Sequence, residues 1–497
     1  MVSKDDYIKN VVMKGDEGSV LLAQKFRPTL RNSELVDVLQ EGMNGVAVLR
    51  IPRDHVALVH SSGGYAKEKD VELHAASVVY RLVEQARAVG AVPVAMGDVI
   101  DSNSGDLSLL EDIADAMVVR ANMHGVAVVN GENAILGERV RDANVSGTMV
   151  SIVPKSHSLP SLNFGSFVHN GVIYSVFDPE GLPVHMNSDG VGTKTEFYER
   201  AGNYERAGID WLEMDWADAM KLGAKVKAFS GVMETRGRIP AEFIQEFVAC
   251  FGKEHGIITS LQHEDVGDRI RGYKPEAPAF NISGTAVSVI DEERLTNPLV
   301  PKDGDCLVGI RGRPNARSNG ITAKRKKMVE MFGLEWHTDL TGKKFLPYLS
   351  EPSTLLSPFF EKLEAQGLAT AFYHLSGGAY DGKLARPLAK HGLYVRIAKL
   401  FEPDPREWAF VDSSYKGKGL PSRDVSQEDL KAAFGKSPMG TDGFVATRES
   451  GRVIQIASEF GLEGMVAGNI ERNPIGLTGV DIRKYGHVIY FDGRDKK

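Results

Sequence analysis

An internal repeat in the first 300 residues constrains the fold of this chain more than any other feature. Asn144–Val153 reads NVSGTMVSIV and Asn281–Ile290 reads NISGTAVSVI, with six of the ten positions identical. Both segments mix apolar residues with Ser, Thr and Gly, which predicts a β-strand in each copy. A His-Gly pair precedes both segments in the same order, at 124–125 and again at 255–256. The repeat therefore predicts two half-domains of similar fold within one chain.

The repeat predicts a mixed α/β (α+β) architecture. Each copy reads as strand, Gly-rich turn, helix, strand, helix and strand, with helices at about 74–89 and 107–123 in copy one and about 209–222 and 240–255 in copy two. A stretch rich in Ser, Pro and Asn before Phe164 predicts a linker. We therefore predict four segments, namely copy one (1–153), the linker (154–163), copy two (164–304) and a C-terminal domain (305–497).

Composition excludes several classes of protein. Apolar residues make up 42% of the chain and charged residues 25%, as in ordinary globular proteins, and no apolar run reaches the length of a membrane span. The net charge of −7 argues against nucleic-acid binding. Cys250 and Cys306 lack metal-ligand spacing, which predicts buried free thiols in a reducing compartment. With no secretion signal at the start, we expect a cytoplasmic protein that binds neither nucleic acid nor membrane.

The strongest local motif is DGVGTK at Asp189–Lys194 in copy two. Glycines let backbone N–H groups approach an anion, so Gly190 and Gly192 are candidates for phosphate binding. Thr193 adds a hydroxyl, Lys194 a positive charge, and Asp189 an oxygen ligand for Mg²⁺. The spacing is not that of a P-loop. The alternative is a Gly-rich turn with an incidental Asp and Lys.

A second acidic motif follows in copy two. Asp215 and Asp218 are three residues apart, which places both carboxylates on one face of a helix. Their neighbours are mostly apolar, so the carboxylates are predicted to be partly buried with a metal ion between them. In copy one the aligned positions hold Ser62, Leu82 and Gln85, and only Lys67 keeps its residue type. These differences predict one metal–nucleotide site per chain, with copy one as its structural half.

The C-terminal domain contains three further Gly-containing segments. Arg313–Gly320 reads RPNARSNG, a basic loop suited to binding a phosphate, and His374–Tyr380 reads HLSGGAY, a turn that begins with a titratable His. The third segment is GTDG at Gly440–Gly443. Each segment alone is weak, since a lone His is more often structural and SNG is a common turn.

Taken in order, these motifs resemble the aminoimidazole ribonucleotide synthetase family, also called phosphoribosylformylglycinamidine cyclo-ligase. DGVGTK is a hallmark of that superfamily, and residues 208–224 resemble the helix that follows it. RPNARSNG resembles the His-Ser-Asn-Gly loop of the family, and HLSGGAYDGKLARPL at 374–388 resembles its His-x-Thr-Gly-Gly-Gly segment. The resemblance covers about 164–480, and copy one again resembles the N-terminal half-domain.

The resemblance implies a fold and a reaction. In such proteins two ATP-binding half-domains pair, usually across a homodimer, into a β-barrel with flanking helices. Here the pair is covalent, which implies an intramolecular pseudo-dimer, as a monomer or a homodimer, with an α+β substrate domain after it. The implied reaction of purine biosynthesis converts ATP and formylglycinamidine ribonucleotide, a phosphorylated small molecule, into aminoimidazole ribonucleotide, ADP and phosphate.

The resemblance also implies roles for individual residues. The expected Mg²⁺ ligands are Asp189, Asp215, Asp218 and Glu264. The expected ATP-binding residues are Asp189, Gly190, Gly192, Thr193, Lys194, Lys67 and Glu132. The expected substrate-binding residues are Arg317, Ser318, Asn319, Gly320, His374, Gly377 and Gly378. Of these, His374, Asn319 and Lys194 are the expected catalytic residues.

The sequence departs from the family pattern at some of these positions. The Asn-Asp pair of the family is Ala217-Asp218 here, and the His before Ser-Asn-Gly is Arg317. Two other functions therefore stay open. One is a related ATP-dependent ligase or kinase acting on another phosphorylated small molecule, and the other is a nucleotide-sensing scaffold without catalysis.

Overall fold

The computed structural model describes residues 13–38, 47–63, 70–157, 165–317, 320–473 and 476–494. The chain forms two compact units. Unit 1 comprises Met1–Glu199 and Ala224–Thr296, and unit 2 comprises Arg200–Gly223 and Asn297–Lys497. Both repeat copies thus contribute their sheets to one unit. Residues 200–223, which the sequence division assigned to copy two, belong to unit 2.

The strands of the described residues are numbered in chain order. In unit 1 they are β1 (Val36–Val38), β2 (Ala47–Leu49), β3 (His55–Ser62), β4 (Val92–Ser102), β5 (Ala127–Ile135), β6 (Ala143–Pro154), β7 (Gly165–His169), β8 (Val172–Phe177), β9 (Val184–Gly190), β10 (Lys225–Arg236), β11 (Ile258–Asp265) and β12 (Ala279–Val289). In unit 2 they are β13 (Cys306–Arg311), β14 (Ala371–His374), β15 (Tyr394–Ile397), β16 (Gly443–Thr447), β17 (Glu463–Glu471), β18 (Gly479–Lys484) and β19 (His487–Phe491).

The helices follow the same convention. Up to residue 296 they are α1 (Met13–Phe26), α2 (Val71–Ala88), α3 (Leu107–His124), α4 (Thr195–Ala201), α5 (Arg206–Met220), α6 (Ala241–Glu254) and α7 (Glu292–Thr296). After it they are α8 (Ile321–Phe332), α9 (Leu346–Leu349), α10 (Ser357–Ala365), α11 (Arg386–Lys390), α12 (Trp408–Val411), α13 (Gln427–Phe434) and α14 (Ser450–Glu459). The four predicted helices of the repeat correspond to α2, α3, α5 and α6.

The two six-stranded sheets of unit 1 share one topology. Their strand orders are β5-β4-β6-β3-β8-β7 and β11-β10-β12-β9-β2-β1. In the first sheet β4 pairs parallel with β5 and antiparallel with β6, which pairs antiparallel with β3. In the second sheet β10, β11, β12 and β9 repeat these pairings in the same senses. The predicted strands at 144–153 and 281–290 are the inner strands β6 and β12.

Each sheet is completed by strands from the other copy. The pair β1–β2 belongs to copy one, yet β2 pairs with β9 of copy two, with Val48 opposite His185. The hairpin β7–β8 belongs to copy two, yet β8 pairs with β3 of copy one, with Leu58 opposite Val176. The copies are therefore joined by a reciprocal exchange of edge hairpins.

Hydroxyl groups connect the two sheets of unit 1. Ser146 Oγ lies 2.7 Å from Ser283 Oγ, and Ser61 Oγ lies 2.8 Å from Ser230 Oγ. The residues of each contact come from different sheets, and their buried hydroxyls satisfy one another as burial requires. We call these contacts the polar seam. The described strands form two separate sheets, linked by one isolated antiparallel bridge between Val140 and Ile270, and they do not close into the predicted barrel.

Helices α2 and α3 cover the outer face of the copy-one sheet. Their buried residues form an apolar core with β4 and β6 that includes Leu82, Ile113 and Met149. The side chain of Asp70 caps α2 by accepting a hydrogen bond from the backbone of Leu73, which satisfies an orphan N–H group of the first turn. The aspartate thus explains why the helix begins three residues before the predicted start.

Unit 2 is built on one seven-stranded sheet, of order β14-β16-β13-β17-β15-β18-β19. Helix α5 is fixed in this unit by two fully buried carboxylates. Asp210 accepts a hydrogen bond of 2.8 Å from the backbone of Ser353, and Glu213 accepts one of 2.9 Å from the backbone of Leu356. These bonds satisfy the buried carboxylates and hold α5 beside the start of α10.

The two cysteines are free thiols, as predicted, but the prediction that they are buried is wrong. Cys250 is exposed because it lies on the outer face of α6, away from the buried Ile244 and Val248. Cys306 is half-buried at the start of β13. Within the described ranges, the structure contains no helix with the length and apolarity needed to cross a membrane.

Candidate functional site

The DGVGTK motif lies where β9 ends and a short 3₁₀ turn begins. Gly192 adopts φ +61°, a left-handed conformation that favours glycine. The backbone N–H of Gly190 donates to the carboxylate of Asp189 at 2.7 Å, and that of Gly192 donates to Asn281 Oδ1 at 3.1 Å. Both N–H groups predicted to bind phosphate are thus engaged within the protein in this conformation.

Lys194 and Thr193 are buried behind this turn. The side chain of Lys194 is only 1% exposed, and its Nζ lies 5.7 Å from the centre of the Tyr198 ring. An aromatic face attracts a cation electrostatically, so Tyr198 helps to hold the buried ammonium group. Thr193 is 5% exposed. Phosphate contact by either side chain therefore requires a local opening of the turn.

A carboxylate from copy one lies close to Asp189. Burial and the negative charge of Asp189 raise the pKa of Asp101 to about 7, although a hydrogen bond of 2.7 Å from Asn281 Nδ2 opposes the shift. Two oxygen donors of like charge suit a hard cation such as Mg²⁺, which proteins often bind through one or two carboxylates together with substrate phosphates. The sequence reasoning missed Asp101 because it treated copy one as having lost its acidic groups.

Asp101 has a counterpart in copy two, Glu234. Asp101 faces Asn144 across β4 and β6, and Glu234 faces Asn281 across β10 and β12. Each asparagine donates to the carboxylate of the other copy, Asn281 to Asp101 and Asn144 to Glu234. Burial raises the pKa of Glu234 well above its usual value, and the charge of Asp101 adds to this effect. The same carboxylate–amide pair thus occurs twice, once in each copy.

Glu264, a predicted Mg²⁺ ligand, makes contacts with copy one. Its Oε1 accepts hydrogen bonds of 3.1 Å from Ser62 Oγ and from the backbone N–H of Gly63. Its Oε2 lies 3.5 Å from Arg81 Nη1. Both oxygens of Glu264 therefore have partners within unit 1.

A β-bulge corrects the alignment of Glu132 with Glu264. Glu264 lies opposite Glu234 on the neighbouring strand, but the register between β4 and β5 shifts by one residue after Met96. As a result Ala134, not Glu132, lies opposite Asp101, the counterpart of Glu234. The sequence aligns Glu132 with Glu264, because each is the first acidic residue after a His-Gly pair. This alignment is two residues out of register, and the bulge, which is not visible in a pattern of apolar residues, accounts for one of them.

Unit 2 brings together all three Gly-containing segments of the C-terminal domain. Arg317, from the RPNARSNG loop, is 1% exposed and contacts Nε2 of His374 at the start of HLSGGAY. Its Nη1 lies 3.5 Å from Oδ1 of Asp442 in GTDG. Because a guanidinium group only donates, His374 Nε2 accepts, and the proton of this imidazole resides on Nδ1. No described residue hydrogen-bonds that buried Nδ1.

His374 is uncharged in this environment. Burial holds the pKa of His374 well below its usual value, and the positive charges of Arg317 and Lys221 lower it further. A neutral imidazole with a free N–H group can donate a hydrogen bond to a carbonyl oxygen, but it places no positive charge beside that oxygen. This cluster joins the two segments that resemble the substrate loops of the family.

Asp218 lies between two lysines of unit 2. Lys221 Nζ contacts Asp218 Oδ1, and Lys383 Nζ lies 3.8 Å from Asp218 Oδ2. Burial opposes ionisation of Asp218, yet the two ammonium groups hold the pKa of its carboxyl below the usual value. Burial and the charge of Lys383 lower the pKa of Lys221 to about 8, although the charge of Asp218 opposes the shift. Each of the three side chains is about a quarter exposed.

The remaining predicted residues are distributed as follows. Lys67, Ser318 and Asn319 lie outside the described residues. Gly320, at the start of α8, has a positive φ of 63°. Gly378 has a positive φ of 80° and lies next to Gly377 in the turn after His374. Asp215 is fully buried on α5.

The four predicted Mg²⁺ ligands are divided between the units. Asp189 and Glu264 belong to unit 1, and Asp215 and Asp218 belong to unit 2, so their joint metal site stays a prediction. In the described part of the chain, no three His, Cys, Asp or Glu side chains form a group that could hold a metal ion without other ligands.

Comparison with known proteins identifies similar sequences. The profile of the AIR synthase related protein, N-terminal domain, matches residues 44–153. A phosphoribosylformylglycinamidine cyclo-ligase of Clostridium perfringens is 28% identical over 318 residues, which cover 61% of this chain and 86% of that protein. The enzyme of the same name from Thermococcus gammatolerans is 28% identical over 200 residues, 39% of this chain and 56% of the relative, so the match spans little more than half of that protein.

Similar solved structures are more distant. T. maritima PurL complexed with ATP aligns with a TM-score of 0.36 at 15% identity, covering 62% of this chain and 43% of PurL. Thiamine-monophosphate kinase from Stenotrophomonas maltophilia aligns with a TM-score of 0.38 at 13% identity, covering 65% of this chain and 92% of the kinase.

Proposed function

We propose that this chain, whose residues 44–153 match the profile of the AIR synthase related protein, N-terminal domain, is an ATP-dependent cyclo-ligase. It would convert formylglycinamidine ribonucleotide into aminoimidazole ribonucleotide and release ADP and phosphate. The observation that carries the proposal is the contact of Arg317, His374 and Asp442 in unit 2, since it joins the segments that resemble the substrate loops of this family. The cyclo-ligase relatives support the reaction type.

Binding of ATP is assigned to the DGVGTK turn of copy two. Lys194 and Thr193 would contact the phosphates, and Asp189 with Asp101 would hold Mg²⁺. The metal would neutralise phosphate charge during transfer. Copy one thus contributes Asp101 to the site, in addition to its structural role. We propose that the two copies form an intramolecular pseudo-dimer through the polar seam, which makes a monomer sufficient for function.

The substrate is assigned to the cluster around His374. The reaction requires phosphorylation of an amide oxygen, after which an internal nitrogen attacks and phosphate leaves. The Nδ1–H of His374 would donate a hydrogen bond to that amide oxygen and orient it, because Nε2 is engaged by Arg317. Asp442 holds Arg317 in place and thereby fixes the tautomer of His374. The neutral imidazole positions the amide without adding a charge.

A second candidate has one observation in its favour. The chain carries Arg317 where the family pattern has a histidine, and this arginine directly contacts His374. A change next to the assigned substrate site favours a related ATP-dependent ligase or kinase acting on another phosphorylated small molecule.

An assay of ADP release tests the proposal. Full-length protein is incubated with ATP, Mg²⁺ and formylglycinamidine ribonucleotide, and substrate-dependent ADP is measured for wild type, Asp189→Asn and Asp101→Asn. We expect kcat to fall by about 100-fold or more in both variants, because each removes charge stabilisation at the transferring phosphoryl group. The control is Asp112→Asn, an exposed carboxylate on α3, which should retain full activity.

Two results would count against this assignment. Undiminished substrate-dependent ADP release by Asp189→Asn would refute the role of the turn. If the wild type releases no ADP with formylglycinamidine ribonucleotide but turns over another phosphorylated substrate, the second candidate replaces the cyclo-ligase.

A further inference from the structure

The surroundings of Asp218 do not fit the Mg²⁺ role predicted from the sequence. One carboxylate oxygen contacts Lys221 Nζ, and the other lies 3.8 Å from Lys383 Nζ. Mg²⁺ requires oxygen ligands that offer negative charge, and two ammonium groups at these oxygens both neutralise that charge and repel a second cation. A magnesium ion at Asp218 would have to displace both lysines.

The three side chains are accessible, in contrast to the residues next to them. Asp218, Lys221 and Lys383 have side chains exposed by 27%, 27% and 29%, whereas Arg317 is 1% and His374 2% exposed. The two groups of residues are electrostatically linked, since both lysines lower the pKa of His374. The accessible part, which consists of Asp218, Lys221 and Lys383, therefore borders the cluster around His374 that is assigned above to the substrate.

The accessible part carries a net positive charge, because it contains two ammonium groups and one carboxylate. In the buried part Asp442 faces the charge of Arg317, His374 is neutral, and burial raises the pKa of the Glu213 carboxyl to about 7. Lysine ammonium groups act as point charges that bind phosphate through short, charge-assisted hydrogen bonds. The charge and exposure thus suit an anion with several oxygens and do not suit a divalent cation.

We infer that Lys221 and Lys383 form a binding site for a phosphate group of the substrate, and that Asp218 orients their ammonium groups and does not coordinate Mg²⁺. The inference rests on the proposed function in one respect, because that function supplies a substrate with a phosphate monoester. Asp218 contacts Lys221, three residues further along the chain, and Lys383, which lies in the π-helical segment Tyr380–Ala385. It is thus a positioning residue for both lysines.

Binding of phosphate compounds tests the assigned ligand. Titration calorimetry with inorganic phosphate, ribose 5-phosphate and ADP is performed on full-length wild type, Lys221→Gln, Lys383→Gln and Asp218→Asn. We expect each lysine variant to bind inorganic phosphate and ribose 5-phosphate about 10-fold more weakly. Asp218→Asn should also bind them more weakly, but by less than either lysine variant, because both lysines keep their charge and lose only the carboxylate that orients them. ADP binding should be unchanged in all three variants.

Controls separate a local effect from misfolding. Lys362→Gln replaces an exposed lysine of unit 2 on α10 and should leave every affinity unchanged. Lys221→Arg keeps the positive charge and should retain most of the affinity for phosphate. Thermal unfolding of each variant verifies that the native state is retained.

A metal titration tests the other half of the inference. Mn²⁺, a paramagnetic substitute for Mg²⁺, is titrated in the presence of ADP and followed by electron paramagnetic resonance. We expect Asp218→Asn to bind Mn²⁺ like wild type and Asp189→Asn to bind it more weakly. Loss of Mn²⁺ affinity in Asp218→Asn would overturn the inference.

The remaining outcomes are also decisive. If the lysine variants bind ribose 5-phosphate as tightly as wild type, the phosphate site is refuted. If they weaken the binding of ADP alone, the site belongs to the nucleotide and the substrate assignment is refuted. If the wild type fails to turn over formylglycinamidine ribonucleotide while the lysine variants lose ribose 5-phosphate, the site stands and only the proposed reaction fails.

Discussion

Replacing Arg139 by methionine is expected to destabilise unit 1 by about 3–5 kcal/mol, because it leaves a buried carboxylate without its cation. Arg139 is 4% exposed, and its Nη2 lies 2.7 Å from Glu199 Oε1. Its Nη1 also lies 3.6 Å from Glu196 Oε2. Methionine fills the space of the arginine stem, so the loss reports the unpaired charge more than a cavity. Chemical denaturation followed by far-UV circular dichroism measures the change. All four tryptophans lie in unit 2, so their fluorescence reports the unfolding of that unit separately.

The neighbouring Arg141 provides a matched control. Its side chain is 51% exposed, so Arg141→Met should change stability by less than about 0.5 kcal/mol. The double variant Arg139→Met with Glu199→Leu should recover part of the loss, because it removes the buried charge left by the first change. A single variant Arg139→Met as stable as wild type would show that this ion pair contributes nothing to unit 1.

Asp98 is expected to make the protein less stable as the pH rises from about 4 to about 8. The residue lies on β4 between Met96 and Ile100, whose side chains belong to the apolar core under α2 and α3. Among the described residues, neither carboxylate oxygen of Asp98 has a hydrogen-bond partner. Burial raises the pKa of Asp98 to about 8 from a usual value of 3.8.

The sign of the effect follows from proton linkage. Between pH 4 and pH 8 the folded protein keeps the proton of Asp98 while the unfolded chain loses it, so the unfolded state binds fewer protons and stability falls with rising pH. The slope contributed by one such group is about 1 kcal/mol per pH unit. Stability is thus greatest at the acidic end of this range and is lost as the pH approaches the folded pKa.

The variant Asp98→Asn tests this expectation, because an amide does not titrate. Unfolding free energies measured at pH 5, 6, 7 and 8 should fall less steeply in Asp98→Asn than in wild type, by about 1 kcal/mol per pH unit. Asp112→Asn, on the exposed face of α3, should keep the wild-type slope. Parallel curves for wild type and Asp98→Asn would mean that Asp98 is ionised in the folded protein.

The sequence predicted the local elements of unit 1 well and their partners poorly. The repeated strands and four helices could be predicted because apolar periodicity is a local signal, whereas the capping role of Asp70 was missed, and with it the start of α2. The partner strands of β1–β2 and β7–β8 could not be predicted, because the choice of partner depends on contacts between distant segments. The position of α5 was missed for a similar reason, since its buried Asp210 and Glu213 find their partners in the chain after residue 350.

The candidate site was predicted in part. The segments around Arg317, His374 and Asp442 were each a weak signal in the sequence, and the fold brings them into contact, while their roles stay a prediction. Asp101 was missed because only the positions aligned with the motifs of copy two were compared in copy one. The pairing of Asp218 with Lys221 could be predicted from the sequence as an i, i+3 contact on a helix, whereas the contact of Asp218 with Lys383 could not.

The exchange of edge hairpins has a consequence for any attempt to divide the chain. A cut between β6 and β7 would leave each fragment with the hairpin that the other fragment requires, and with an unpaired edge along β3 or β9. Unpaired edges recruit further strands, so isolated fragments would self-associate, whereas fragments produced together could restore both pairings. In physical terms the two repeats are a single cooperative body, and neither is a module that can be transferred on its own.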